Sequence, residues 1–172
     1  MSVLKHIQAV ILLPTMVTIA IPGIIIVTTR AVKIGWPSIL PFNLVPLLTG
    51  TVLIGLGLTL MIKTIALFAT IGQGTLAPWA PPGNLVVRGI YRHVRNPMIS
   101  GVFCVLLGET MLFGSVPLFA WFIVFLLINV IYIPLLEEPG LEQRFGQEYR
   151  LYKENVPRWI PRLRPWNASG DG

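Results

Sequence analysis

Long apolar runs alternate with short polar segments along this chain, and the runs set its predicted architecture. Four runs predict membrane-spanning helices, at about residues 7–29, 44–62, 98–113 and 116–136. Pro14 and Pro22 interrupt the first run, and the third is close to the lower limit of about 17 residues for a spanning helix. Only Gly114 and Ser115 separate the last two runs, which predicts a tight helical hairpin.

Small residues in the second run predict a close helix–helix contact. Thr51, Gly55 and Thr59 lie four apart and form one stripe, which lets another helix approach within this chain or from a second copy. The sequence leaves the oligomeric state open. Residues 64–70 continue the apolar pattern and extend the predicted helix beyond the membrane.

A different pattern begins at Glu137, because residues 137–164 hold 11 of the 20 charged residues of the chain. Pro139 and Gly140 predict a break where the fourth span ends. One helical face of the following segment is apolar, with Leu141, Phe145, Tyr149 and Tyr152. We expect an amphipathic helix that lies on the membrane or folds over the loops, in a tail of residues 137–166. Residues 167–172 are predicted to be disordered.

Composition supports one all-α integral membrane domain over residues 1–166. Hydrophobic residues make up 54% and charged residues 12% of the 172 positions, against about 25% charged in soluble domains. The mean hydropathy is +0.75. Cys104 is the sole cysteine, which excludes an intrachain disulfide, and His93 has no second histidine nearby, so we predict no metal site.

The net charge of +6 does not indicate a nucleic-acid partner, because the basic residues lie at the ends of apolar runs, where lipid headgroups are. With four spans, Arg30 and Lys33 fall on one side of the membrane and eleven basic residues on the other. The positive-inside rule therefore predicts that both termini, the 63–97 loop and the tail are cytoplasmic.

The 63–97 loop carries the densest polar chemistry. Its first half contains Gly72, Gly74 and several prolines, which predict a structured loop or lid instead of a helix. A Gly-x-Gly without a preceding strand does not indicate a Rossmann fold. Its second half, residues 89–97, holds five polar or basic residues in a short segment, which indicates either a surface anchor or a site: Tyr91, Arg92, His93, Arg95 and Asn96.

Two separated motifs resemble the isoprenylcysteine carboxyl methyltransferase family and the related phospholipid N-methyltransferases. The first is Gly89-x-Tyr91-x-x-x-Arg95-Asn96-Pro97-x-x-x-Gly101. The second begins at Glu137-Glu138, continues through Phe145-Gly146, Tyr149 and Tyr152, and ends at Val156-Pro157-Arg158. The resemblance covers about residues 72–165 in the order and spacing of the family. It implies an integral membrane methyltransferase that uses S-adenosylmethionine and releases S-adenosylhomocysteine.

The resemblance also implies which residues form the site, on the cytoplasmic side between the loop and the tail. Glu137 and Arg95 are the candidate catalytic residues. The cofactor-binding candidates are Gly83, Asn84, Leu85, Val86, Tyr91, Asn96, Pro97, Met98, Ile99 and Glu137. The candidates for the acceptor groove are Asn129, Ile133 and Arg158.

Two departures from the family pattern bear on the substrate. Ile99 replaces a family tyrosine, so a hydroxyl contact is lost while main-chain contacts remain possible. Ile133 replaces an arginine that meets the substrate in eukaryotic prenylcysteine enzymes, which puts a carboxylate acceptor in doubt. The expected acceptor is a lipophilic or lipidated molecule; prenylcysteine carboxylates, phospholipid amines, small thiols and isoprenoids all stay open, as do O-, N- and S-methylation.

Other interpretations of the same residues stay open. Arg92 suits a lipid phosphate, whereas Arg95 lies inside the matched motif. Glu109 falls within the third run, where an acidic residue is costly, and is assigned a structural role or a position near the far interface. A membrane reductase of the sterol reductase type using NADPH, and a transporter or interaction protein without enzymatic activity built around Glu109, are the two alternative functions.

Overall fold

The structure is a computed structural model that describes residues 12–30, 36, 44–71 and 85–167. Its described part is helical, which confirms the all-α fold class. The helices are α1 (Leu12–Thr29), α2 (Leu44–Ile71), α3 (Pro97–Phe113), α4 (Val116–Tyr132) and α5 (Glu138–Asn155). A 3₁₀ turn, Gly89–Arg92, precedes α3. The predicted lid at residues 72–84 and the tail end at 168–172 lie outside the described residues.

Three of the described helical segments are long and apolar enough to cross a membrane, and α3 is a shorter apolar helix of 17 residues. The last segment, Val116–Asn155, is 40 residues long and is kinked at Gly146. Its part before the kink is about 45 Å long, which exceeds the thickness of about 30 Å of the hydrocarbon core. Its apolar half, α4, therefore spans the membrane, and the charged helix α5 extends beyond it.

The junction between α4 and α5 differs from the sequence prediction. We expected Pro139 and Gly140 to break the chain, but a π-helical turn, Ile133–Glu137, joins the two helices directly. Pro139 lies in the first turn of α5, a position where proline is tolerated because its missing N–H is not needed. The actual kink is at Gly146, whose φ of 55° and ψ of −126° are accessible mainly to glycine.

Helices α2 and α3 approach each other at two pairs of glycines. A Cβ on Gly57 would lie 2.5 Å from the Gly101 carbonyl oxygen, and one on Gly50 would lie 2.7 Å from the Gly108 carbonyl oxygen. The predicted stripe of Thr51, Gly55 and Thr59 is exposed in the described part of the chain, so no described helix packs on it, and a contact with a second copy stays a prediction. Glycine pairs seven residues apart, not the four-residue stripe, let these two backbones touch.

We expect Gly57→Ala to separate α2 from α3, because its new methyl group meets backbone that cannot move aside alone. Gly55→Ala is the matched control, since a Cβ there has nothing within 4 Å. Thermal unfolding in detergent should show a lower midpoint for Gly57→Ala and an unchanged or raised midpoint for Gly55→Ala, because alanine favours helix. Equal midpoints for the two variants would contradict this packing.

A first apolar core joins the spanning helices. Met61 of α2, Met98 and Leu106 of α3, and Phe122 of α4 are among its buried residues. Helix α1 joins this core from the side through its π-helical turn, Met16–Ala20. The Trp121 indole N–H donates to the carbonyl oxygen of Val17 in that turn at 3.2 Å.

A second core lies beyond the membrane and holds the tail. Tyr149, Tyr152, Val156 and Trp166 are buried together, and the other two residues of the predicted apolar face, Leu141 and Phe145, pack against them. Leu85 and Val87, from the segment that leads into the 3₁₀ turn, complete this cluster. The tail is therefore folded against the segment before α3, which is one of the two arrangements that its amphipathic pattern allowed.

Candidate active site

The segment before α3 is held against the tail by main-chain hydrogen bonds. The Arg95 N–H donates to the Pro157 carbonyl at 2.9 Å, the Arg162 N–H donates to the His93 carbonyl at 2.9 Å, and the Trp166 N–H donates to the Arg92 carbonyl at 3.0 Å. Main-chain bonds at three levels fix the register of two segments that lie more than 60 residues apart in sequence. The two predicted motifs thus form one layer.

Side chains strengthen this attachment. The Arg92 Nε donates to the Trp166 carbonyl at 2.6 Å, and the His93 Nδ1 lies 2.8 Å from the Arg162 carbonyl oxygen, which requires a proton on Nδ1. The Tyr152 hydroxyl donates to the Tyr91 carbonyl at 2.7 Å inside the second core. Arg92, which the sequence assigned to lipid phosphate, is instead bound to the tail.

Glu138 is the centre of the polar contacts in this layer. Its carboxylate accepts hydrogen bonds from the Arg95 guanidinium at 2.7 Å and from the Arg158 guanidinium at 2.6 and 2.9 Å. The Lys153 ammonium lies 3.7 Å from the same carboxylate. Glu138 is 2% exposed, so a buried anion joins α5, the motif before α3 and the 157–166 loop.

These cations outweigh the cost of burying the carboxylate. Burial alone raises the pKa of Glu138, but the Arg158 hydrogen bond and the charges of Arg95, Arg158 and Lys153 together lower the pKa below its ordinary value. The phenol of Tyr149 is buried beside the Glu138 charge, and the two effects raise the pKa of Tyr149 to about 12. Glu138 is therefore ionised and Tyr149 neutral at physiological pH.

The lowered pKa of Glu138 predicts how acid affects the attachment of the tail. A group whose pKa falls on folding stabilises the fold above its ordinary pKa, about 4.3 for glutamate, and loses that effect as the pH drops through the folded value. We expect protease cleavage of the tail to increase only below about pH 4 in the wild type. Glu138→Gln should be cleaved equally at all pH values, and an acid step retained in that variant would contradict the assignment.

Glu137 differs from its neighbour although the two carboxylates are adjacent in sequence. Glu137 keeps an exposed surface and forms no side-chain hydrogen bond with the described residues, while the protein around its carboxylate and the neighbouring Glu138 charge raise its pKa. Burial is the largest cause that raises the pKa of Tyr91, and the nearby Tyr152 and Glu137 raise it further, so the Glu137 carboxylate lies close enough to Tyr91 to affect its titration. Glu138 is bound by neighbouring cations, whereas Glu137 has no bonded partner among the described residues and is available to a ligand.

Two further polar features face this region. The Arg95 side chain is 9% exposed, and its Nε lacks a hydrogen-bond partner among the described residues. Helix α3 begins at Pro97 after Asn96, and no side chain caps its first turn. A buried guanidinium nitrogen and an uncapped helix N-terminus both favour a negatively charged group.

The cofactor-binding candidates fall into three groups. Gly83 and Asn84 lie outside the described residues. Leu85 packs in the second core, Tyr91 is buried with its carbonyl bound to Tyr152, and Met98 is buried in the first core. Of the remaining candidates, Asn96, Pro97 and Ile99 lie at the start of α3, Val86 lies in the segment that leads to the 3₁₀ turn, and Glu137 is the last residue of the π-helical turn before α5.

The groove candidates are positioned along α4 and the loop after α5. Asn129 is buried and its amide donates to the Phe125 carbonyl of the same helix at 2.8 Å. Ile133 is 1% exposed. Arg158 pairs with Glu138, and its carbonyl is 3.5 Å from the Asn96 amide nitrogen. Glu109, in α3, has one buried carboxylate oxygen without a hydrogen-bond partner in the described part of the chain.

Sequence reasoning did not identify the residues that fasten this layer together. It included Glu138 in the second motif without assigning these partners to it, and it did not single out Lys153 or His93 for a contact with a partner. Their partners are 15 to 69 residues away, and no local periodicity signals such pairing. The one available signal was the excess of basic residues over acidic ones near two adjacent glutamates.

Comparison with models of known protein families gives a match. A family model described as phospholipid methyltransferase matches residues 45–148, more than half of the chain. The matched range extends from the start of α2 into α5 and includes the whole segment before α3 and both adjacent glutamates. No curated protein matches the chain.

Proposed function

Because the chain belongs to the phospholipid methyltransferase family, we propose that it transfers a methyl group from S-adenosylmethionine to a lipophilic acceptor at one membrane face. The single observation that carries this proposal is the exposed carboxylate of Glu137, next to the buried pair of Arg95 and Glu138. Family membership supports a membrane methyltransferase in general; the cofactor site, the acceptor and the membrane side are our proposals.

The free polar groups of this site fit the chemistry of the cofactor. S-adenosylmethionine carries an amino-acid carboxylate, an ammonium group and a sulfonium that supplies the electrophilic methyl group. Arg95 Nε and the uncapped start of α3 would hold the carboxylate, while Glu137 would hold the ammonium group, which the product S-adenosylhomocysteine also carries. Glu138 is unavailable for this role because its oxygens are already bound by arginines.

We propose a phospholipid amine as the acceptor. A prenylcysteine carboxylate is disfavoured, because position 133 holds a buried isoleucine where the eukaryotic enzymes carry an arginine. The partly exposed cations Arg158 and Lys153 would attract the headgroup phosphate. When the amine nitrogen bonds to the methyl carbon, the bond from that carbon to sulfur breaks, and Glu137 can accept the proton that the amine loses.

The location of the site suits reactants from two phases. The layer lies beyond the spanning helices, at the end of α4 and the start of α3. A lipid acceptor would arrive within the leaflet, while the water-soluble donor would arrive from solvent. The excess of basic residues on this side supports a cytoplasmic site and cytoplasmic termini.

Calorimetry on detergent-purified protein tests the class of enzyme. We expect saturable binding of S-adenosylhomocysteine and no heat change with NADPH. Folding is checked independently by the thermal unfolding midpoint of the same sample. Binding of NADPH without S-adenosylhomocysteine would overturn the proposal in favour of a membrane reductase, and no binding of either by folded protein would overturn it in favour of a non-enzymatic role.

A further inference from the structure

The loop after α5, residues 157–166, presents two large apolar side chains to its surroundings. Ile160 is 79% exposed and Leu163 is 98% exposed, the two highest values among the large apolar residues of the described chain. Both lie in a segment beyond the spanning helices. Exposed apolar side chains are expected on helices that face lipid, but here they lie in an irregular loop with its own fixed conformation.

This loop is rigidly placed. The main-chain bonds from Arg95, Arg162 and Trp166 fix both of its ends against the segment before α3. Trp166 is buried in the second core. Ile160 and Leu163 are therefore held outward by the fold itself, and their exposure does not come from a loose end.

The loop also lies beside a spanning helix. The Trp159 ring contacts the Phe103 ring of α3, with centroids 5.3 Å apart, and the Trp159 carbonyl lies 3.5 Å from the Ser100 hydroxyl. Phe103 is six residues into α3, which places it about 9 Å along the helix axis from the first residue. Interfacial segments bury their apolar faces about 5–10 Å into the boundary between headgroups and acyl chains. The position of Phe103 along α3 agrees with that depth.

The charge of the loop indicates the kind of leaflet. Residues 157–167 contain Arg158, Arg162 and Arg164 and no acidic residue. Arg158 is paired with Glu138, and Arg162 donates to the Asn155 carbonyl, but Arg164 is exposed. Basic side chains beside inserted apolar ones attract anionic headgroups.

We propose that the 157–166 loop is a membrane-inserting anchor, which buries Ile160 and Leu163 among the acyl chains of an anionic leaflet. The anchor holds the tail at the membrane surface. Because main-chain hydrogen bonds join the loop to the segment before α3, the anchor also holds that segment at the surface. This role is independent of methyl transfer and of the identity of the acceptor. The lipid leaflet is thus a binding partner of the layer that the two motifs form.

Environment-sensitive fluorescence tests this anchor in the full chain. In a Cys104→Ser background, Leu163→Cys is labelled with a nitrobenzoxadiazole probe and reconstituted into vesicles of phosphatidylcholine with phosphatidylglycerol. We expect emission at shorter wavelength and quenching by lipids that carry a nitroxide high on the acyl chain. Gln147→Cys, on the exposed face of α5, is the matched control and should emit as in water.

Equal emission from the two labelled positions would overturn the anchor. Ile160→Cys provides a second probe in case the label at position 163 disturbs the loop, and it should behave like Leu163→Cys. Removing phosphatidylglycerol should reduce quenching at both loop positions, and Arg164→Gln should diminish that lipid dependence. Quenching that is unaffected by anionic lipid would overturn the choice of an anionic leaflet.

Discussion

Replacing Glu138 with alanine is expected to detach the tail and to lower the free energy of unfolding by about 3–5 kcal/mol. The reason is electrostatic: Arg95 and Arg158 would lose the carboxylate that both guanidinium groups contact at 2.6–2.7 Å, and Arg95 would stay buried. An uncompensated buried charge costs far more than the pair contributes when complete. Chemical denaturation in detergent, followed by tryptophan fluorescence, measures the change.

Glu142→Ala is the control for this variant. Glu142 pairs with Arg150 at 2.6 Å, but the Arg150 side chain is 65% exposed, so the expected loss is at most about 1 kcal/mol. Double replacement of Glu138 and Arg95 by apolar residues should recover part of the stability, because no buried charge is left alone there. A Glu138→Ala protein as stable as Glu142→Ala would contradict the central place of Glu138.

Replacing Glu137 with glutamine is expected to weaken S-adenosylhomocysteine binding without changing stability. Glu137 is exposed and bonds to no described residue, so the fold does not depend on its charge. A hydrogen bond to a charged group contributes about 1.5–3 kcal/mol, which corresponds to about 10- to 100-fold in affinity. Calorimetric titration gives the dissociation constant, and the unfolding midpoint measured on the same protein gives the stability.

The matched comparison for this prediction is Glu138→Gln. That variant should lower stability, and it should weaken binding only because the tail is disturbed. Osmolytes that restore its folding should therefore restore its affinity for S-adenosylhomocysteine. They should leave the Glu137→Gln affinity low. If Glu137→Gln bound S-adenosylhomocysteine as tightly as the wild type, the cofactor would lie elsewhere and the roles of the two glutamates would need to be reassigned.

Apolar patterning was sufficient to predict the helices and the face of the tail that packs inward. The hairpin at Gly114 and Ser115 could be predicted because only two residues separate the apolar runs. Glycine also permits the left-handed conformation that ends α3 there. The amphipathic face of α5 follows from spacing alone. Periodicity reports which side of a helix is apolar, and that is enough for such features.

Patterning failed where the decisive contact depended on a distant segment. It selected Thr51, Gly55 and Thr59 as a contact stripe, but the backbone of α3 lies on another side of α2, opposite Gly50 and Gly57. It placed a break at Pro139, because it could not anticipate that this proline would lie in the first turn of α5, directly after a π-helical turn. It also did not assign Glu138 its role, since three cations from separate segments define that role.

Transfer of a labelled methyl group is the measurement that tests the central claim most directly. Protein reconstituted with phosphatidylethanolamine is incubated with S-adenosylmethionine that carries a radiolabelled methyl group, and the lipids are then extracted. We predict label in the lipid fraction with the wild type, and strongly reduced label with Glu137→Gln at equal folding. No labelled lipid from wild-type protein that binds S-adenosylhomocysteine would contradict the phospholipid acceptor, and equal labelling by both proteins would contradict the site.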